Sequence, residues 1–195
     1  MKVIVACEYS GKARDAFTAL GHDATSCDIL PTDKPGQHIQ GDVRDVDLSK
    51  YDLMIGHPPC TYLCNSGVRW LAGNAERWAA MEKARDFFKW LINAPVDHIA
   101  IENPIPHKHA KLPRYSQVIQ PWQFGHGETK ATCLWLKNLQ PLVPTNIVAG
   151  REQRLHRLPP SADRWKIRSE TYQGIADAMA AQWTDPTGYQ MALPI

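Results

Sequence analysis

The chain has 195 residues, 44% of them hydrophobic and 22% charged, with a formal net charge of +2. That length fits one domain, and that balance excludes a disordered, collagen-like or repeat protein. No run of about 18 apolar residues occurs, which excludes a membrane-spanning helix.

The chain opens MKVIVACEYSG, with an apolar stretch too short for a secretory leader and no small-residue cleavage site after it. Lys2 to Cys7 reads as a first buried strand, and Glu8-Tyr9-Ser10-Gly11 as a turn. From Gly11 to Leu20, Ala13, Ala16, Phe17 and Leu20 recur at helical spacing, and Gly21 stops the helix. A second strand spans Asp23 to Ile29, with Asp28 at its end. A Pro/Gly-rich loop then leads through Gly41-Asp42-Val43 to a third strand, Tyr51 to Gly56, which runs into His57-Pro58-Pro59-Cys60.

Asn74 is placed to cap a long helix carrying Trp78, Met81, Ala84, Phe88 and Leu91 on one face. Asp97 to Ile101 is a strand ending in Glu102-Asn103-Pro104, and the stretch from Pro104 to Gly127 reads as loop. Ala131 to Leu136 is a further strand, and residues 141–170 look irregular and basic. Tyr172 to Trp183 is the last helix, with Ile175, Met179 and Ala180 inward. Alternating strands and helices predict a mostly parallel, doubly wound α/β sheet. Ligands bind such sheets at the carboxyl ends of the strands. The polar clusters at Glu8–Gly11, Asp28, Asp42, Pro58–Cys60 and Glu102-Asn103 all fall there.

Five cysteines, an odd number without a secretion signal, are expected to be reduced thiols in a cytoplasm. Between Arg151 and Arg168 six basic residues (Arg151, Arg154, Arg157, Arg164, Lys166, Arg168) face two acids, Glu152 and Asp163. Such a segment either holds phosphates or is a solvated loop.

The first turn lacks G-x-G-x-x-G and the lysine of a P-loop, which argues against a dinucleotide pyrophosphate. Asp28 is placed for a ribose hydroxyl pair and Asp42 for an adenine amino group, although each alone is better explained as a cap or turn former. In order after the first turn they fit S-adenosylmethionine better than a nicotinamide cofactor. Cys60, after two prolines at a strand end, sits where a nucleophile would; the alternative is an inert buried thiol. Cys60 with Cys64 makes a poor metal pair, because no second Cys/His pair at finger spacing follows. Glu102 follows an apolar strand, and burial there is expected to raise its pKa and keep it able to donate a proton.

Taken in order, these residues resemble the cytosine-C5 DNA methyltransferase family. Val3 to Gly11 is similar to the first family motif, Asp28 and Asp42 to the second and third, and Tyr51 to Cys60 to the Pro-Cys nucleophile motif. Ile101-Glu102-Asn103 is similar to the Glu-Asn motif, and the helix around Gly174 to the last motif. The resemblance implies a Rossmann-like, S-adenosylmethionine-dependent methyltransferase fold over residues 1–195. It implies a cofactor site of Cys7, Glu8, Tyr9, Ser10, Gly11, Asp28, Ile29, Asp42, Val43 and Pro58, with no metal. Cys60 would be the nucleophile and Glu102 its acid partner, with Asn103 orienting the Pro58–Cys60 loop.

The family's Gln-x-Arg-x-Arg strand has no clean counterpart here. Lys130 is the candidate for its base-contacting arginine, with Gln153-Arg154 as a second candidate, and Arg168 is a candidate for substrate phosphates. The family's separate recognition domain is missing, which implies short or no sequence preference on a DNA cytosine target. Small phage-encoded proteins share this plan, so a phage or prophage origin and a bacterial cytoplasm are expected. Two rival readings remain at this point: C5 methylation of RNA or a free cytosine nucleotide, and a catalytically silent binding module.

Overall fold

The computed structural model describes residues 1–185, which build a seven-stranded sheet with helices on both faces. The strands are β1 (Lys2–Ala6), β2 (Asp23–Asp28), β3 (His38–Gln40), β4 (Leu53–Gly56), β5 (His98–Pro104), β6 (Gln117–Ile119) and β7 (Thr132–Lys137). Their order is β3-β2-β1-β4-β5-β7-β6. β1 to β5 pair in parallel, while β7 runs antiparallel to both β5 and β6. The helices are α1 (Lys12–Ala19), α2 (Ala75–Ile92), α3 (Arg154–Arg157), α4 (Arg164–Ser169) and α5 (Gln173–Trp183).

The apolar run of β1 is what a central strand needs, because both of its faces are covered. Val3 and Val5 point to a core shared with Phe17 of α1 and Ile175 and Met179 of α5. Ile4 and Ala6 point the other way, to Met81, Phe88 and Leu91 of α2 and to Trp135. Phe88 meets Trp135 edge to face at 4.8 Å. Each such side chain, fully buried, contributes about 1.5–3 kcal/mol. Asn74 does cap α2, its Oδ1 accepting the Arg77 N–H at 2.9 Å. Trp78, expected inward, is instead 38% exposed. It lies in the first turn of α2 and packs on His109 at 5.4 Å.

Four expectations need correcting. β3 lies in what reads as a Pro/Gly-rich loop, and β6 in the stretch from Pro104 to Gly127. Three residues are too few to show a period of two, and both strands exist through pairing with a longer neighbour. Residues 141–170 are not uniformly irregular, since α3 and α4 lie within them. Glu102 and Asn103 lie inside β5 rather than beyond it, because the antiparallel β7 extends the ladder to Pro104–Thr132.

The chain fills the sheet outward from β1 in one direction (β2, β3) and then resumes at β4 on the other side of β1. The switch point therefore lies between β1 and β4, where the Cys7–Gly11 and His57–Cys60 turns leave the sheet. β7 runs opposite to the rest, so its beginning reaches the same rim where β1, β4 and β5 end. This is the mostly parallel, doubly wound α/β, Rossmann-like fold that the sequence implies. The expected single domain runs to residue 195, and residues 186–195 lie outside the described residues. No helix among the described residues is long and apolar enough to cross a membrane.

Candidate active site

The first turn is a backbone device. Cys7 has φ 59° and Gly11 φ 71°, both left-handed. Gly11 gives α1 no side-chain cap. Glu8 supplies it: one carboxylate oxygen accepts from Ala13 N (2.7 Å) and Ser10 Oγ (3.2 Å), the other from Arg14 N (3.2 Å). The carboxylate is therefore turned into the protein, against the positive end of α1. Burial, reinforced by Asp28, Cys27 and Asp42, pushes the Cys7 thiol well up, so it stays protonated.

α4 and the residues after it lie over this turn. Tyr9 Oη donates to the Lys166 carbonyl (3.1 Å) and sits 3.0 Å from Ser169 Oγ. Lys12 pairs with Glu170 at 2.6 Å and Lys166 with Asp33 at 3.1 Å. Beneath them is a cavity of about 20 Å³ lined by Cys7, Glu8, Tyr9, Ser10, His57, Ser169, Glu170 and Thr171.

Asp28 ends β2 half-buried, its Oδ1 accepting from Leu30 N at 2.9 Å. Burial, outweighing that hydrogen bond, raises its pKa. A carboxylate has further lone pairs for a hydroxyl pair. Its neighbour Ile29 is 73% exposed, an apolar surface beside that acid. Asp42 is more committed: it caps a short turn through Arg44 N and grips the Arg44 side chain. Those bonds pull its pKa down to about 2. Val43 is buried in the core below.

Pro58 is buried and leads to Cys60, which is partly exposed at the mouth of a larger cleft. Cys64 N donates to the Cys60 carbonyl at 3.1 Å, so one helical turn brings the two thiols together. Cys64 Sγ also lies 3.0 Å from Ser66 Oγ. The hydrogen bond to Cys64, followed by burial, drives the Cys60 thiol upward. The same bond, aided by Ser66, draws Cys64 down against its own burial.

Glu102 departs from its expected ionisation. Burial alone raises its pKa, but His57 and then Lys130 more than offset this, and the net shift is downward. His57 Nδ1 stands 3.2 Å from Glu102 Oε1. Burial disfavours the charged imidazole, yet Glu102 and Glu8 raise its pKa overall. Both shifts favour an ion pair over the protonated carboxyl group expected of Glu102. The contact is not a well-angled hydrogen bond, and neither ring nitrogen has such a partner. Asn103 is also placed differently than expected. Its Nδ2 donates to the adjacent Pro104 carbonyl at 2.6 Å rather than to the Pro58–Cys60 loop, and its Oδ1 is buried without a partner.

Lys130 stands two residues before antiparallel β7, and this brings it to the rim. Its Nζ donates to the Glu170 carbonyl (3.1 Å) and lies 5.9 Å from the centre of the Tyr172 ring. Its charge lowers the pKa of both Cys60 and Glu102. Arg168, Lys130 and Gln153 line the cleft of about 810 Å³ that holds Cys60. Arg154, paired with Glu128 at 2.9 Å, points elsewhere. Arg151 packs over Trp122 at 3.8 Å. The basic segment is thus divided, with Arg164 and Arg168 facing the cleft.

His57 and Cys64 carry weight that the sequence reading did not assign them. A polar residue between an apolar strand and two prolines was the available signal for His57. The i, i+4 spacing from Cys60 was the signal for Cys64. Arg14, 1% exposed, was hidden as a helix residue; it fixes the loop after β2 through the Lys34 and Pro35 carbonyls at 3.2 and 3.0 Å. No three His, Cys, Asp or Glu side chains among the described residues form a metal-ligand group.

No family model matches the chain, and no curated protein matches it in sequence. Solved structures similar to it include one described as a DNA modification methyltransferase encoded within a prophage (E. coli). That match has a TM-score of 0.49 and 13% identity, covering 82% of this chain and 55% of the other. Another is the Entamoeba histolytica methyltransferase EhMeth, with a TM-score of 0.42 and 18% identity, covering 83% of this chain and 61% of the other. The chain thus spans less than two thirds of the length of either.

Proposed function

We propose that this chain transfers a methyl group from S-adenosylmethionine to C5 of cytosine in DNA through a covalent Cys60 adduct, with short or no sequence preference. The observation that carries this reading is a shared rim: Cys60 follows β4, Glu102 lies in the adjacent β5 and Lys130 precedes the adjacent β7, with Cys60 and Lys130 lining one cleft. The donor set at the first turn fits the cofactor. Asp28 offers a carboxylate beside exposed Ile29, and the His57 ring lines the cavity below Tyr9. When bound, the cofactor supplies an electrophilic methyl on a sulfonium, and the protein supplies position and electrostatics.

The residues then divide the work. Cys60 loses its proton toward Cys64 and its sulfur bonds to C6 of the ring. Glu102, taking back the proton held by His57, hydrogen-bonds N3 and stabilises the negative charge that builds there. Lys130 offsets the charge of the thiolate. C5, made nucleophilic by that addition, would take the methyl as its bond to the sulfonium sulfur breaks, and loss of the C5 proton to a base with cleavage of the C6–S bond would then restore the ring. In duplex DNA the target base would have to leave the stack first.

A second reading, a catalytically silent DNA-binding module, is favoured by one observation. The cavity at the first turn, about 20 Å³, is closed over by α4 and Glu170, and a cofactor needs that cover to lift. Calorimetry with S-adenosylmethionine separates the two, since a silent module takes up none. The deciding experiment is methyl transfer from labelled S-adenosylmethionine to duplex DNA, single-stranded DNA, RNA and free dCMP, with Cys60→Ser as control. Label on cytosine C5 of DNA, lost in the variant, is the expected result. Label only on RNA or dCMP would replace the substrate, and no label anywhere would leave the silent module.

A further inference from the structure

The cleft beside Cys60 has a composition that the proposed chemistry does not require. Two exposed indoles stand in its lining, Trp70 at 56% and Trp165 at 53% exposure. Arg77, Lys130, Arg164 and Arg168 line it as well, and among the described residues no carboxylate does. Arg164 Nε is buried with no hydrogen-bond partner. The Arg69 guanidinium lies 4.7 Å from the Trp70 ring centre, a cation held beside a stacking face. Exposed indoles are costly to leave in water, and unpaired cations repel one another; a ligand with flat faces and regular anionic charge answers both.

We infer that this cleft is a channel for single-stranded nucleic acid, in which Trp70 and Trp165 stack unpaired bases and Arg77, Arg164 and Arg168 hold the phosphates. The inference rests on the proposed cytosine substrate and specifies its strand state. A duplex hides its base faces, so it gives the indoles nothing to stack on, whereas single strands bind through stacking platforms in basic grooves. A volume of about 810 Å³ holds a few nucleotides and not a duplex. The elements bordering the cleft are the turn Asn65–Trp70, the first turn of α2 at Arg77, the end of β5 at Pro104 and the short helices α3 and α4.

The test is fluorescence anisotropy of a labelled dC-containing 12-mer, its duplex and the equivalent RNA. Cys60→Ser protein without cofactor is used, so that no chemistry is needed. The single strand is expected to bind at least about tenfold tighter than the duplex. Trp70→Ala and Trp165→Ala should each weaken it by about fivefold or more, and Trp70→Phe should restore most of the loss. Arg168→Ala should reduce the slope of log affinity against log salt by about one phosphate contact. Both indoles are on the surface, and unchanged circular dichroism checks that the variants fold. Equal affinity for duplex and single strand, or full affinity in the Trp70/Trp165 double variant, overturns the inference. A preference for RNA over DNA strands upholds the channel and sinks the DNA substrate. Methyl transfer to duplex without single-strand binding does the reverse.

Discussion

His57 Nδ1 and Glu102 Oε1 face each other at 3.2 Å in the rim between β4 and β5, with 8% and 13% of their side chains exposed. Burial opposes charge on both, yet each moves the other's pKa in the direction that favours the ion pair. The depressed carboxyl adds stability that is complete above its ordinary 4.5 and fades as pH falls through its lower folded value. The raised imidazole adds stability that is complete below its ordinary 6.5 and fades as pH rises through its higher folded value. Both contributions are full only between these ordinary values. In chemical denaturation the protein should lose stability on the alkaline side of this window, and His57→Asn should abolish that slope. Removing one partner of a buried pair costs on the order of 3 kcal/mol. In the variant, Glu102 keeps its proton to higher pH, and the corresponding limb of the methyl-transfer profile moves upward. An unchanged profile would separate His57 from the chemistry.

Glu8 caps α1 from three residues before Gly11, and this makes a prediction about the protein without any ligand. Glu8→Ala leaves the Ala13 and Arg14 N–H groups unsatisfied at 2.7 and 3.2 Å positions now filled. The loss should be about 1–2 kcal/mol, or roughly 3–7 °C in Tm, by calorimetry of the apo protein. If Glu8 acted only on a cofactor, the apo Tm would not move.

The core strands were legible because β1, β4 and β5 are covered on both faces and read as unbroken apolar runs. The same logic placed the polar turns on one rim, Cys60 and Glu102 among them; Lys130 was a candidate only through the family resemblance, and it reaches that rim because β7 runs antiparallel. What did not show was charge state. Burial was foreseeable for Glu102, but the opposing charges of His57 and Lys130 come from β4 and β7, which only the sheet order brings alongside. Likewise the basic segment reads as one block, although its side chains divide between internal partners and the cleft. Trp70 and Trp165, 95 positions apart, share a wall only because α4 folds back over the first turn.

The cover on the first turn is held by ion pairs, Lys12–Glu170 and Lys166–Asp33, with side chains 28–44% exposed. Such pairs contribute at most about 1 kcal/mol each. Glu170→Gln and Asp33→Asn should therefore shift the cover toward its open form without unfolding the protein. If the closed form excludes cofactor, S-adenosylmethionine affinity rises up to about fivefold for each change. Calorimetry at low and high salt reads this directly, and salt should mimic the variants in the wild type. Unchanged affinity in both variants would show that the cover does not gate the site.

Cys60 and Cys64 make opposite predictions for the same reagent. Cys64 is the largest cause of the raised Cys60 pKa, ahead of burial, while Lys130 works against both. Cys64→Ala removes that cause, so Cys60 ionises at lower pH and iodoacetamide should alkylate it several-fold faster at pH 8. Lys130→Ala removes the stabilising charge and should slow the same reaction. In the wild type, Cys64 is the thiol drawn down, but it is buried, 7% exposed against the partly exposed Cys60. Peptide mass spectrometry over a pH series assigns the label to each position. Methyl transfer separates reactivity from catalysis: Cys64→Ala should react faster with iodoacetamide yet turn over more slowly, because the acceptor for the Cys60 proton is gone. Faster alkylation together with faster turnover would mean that Cys64 only restrains the nucleophile.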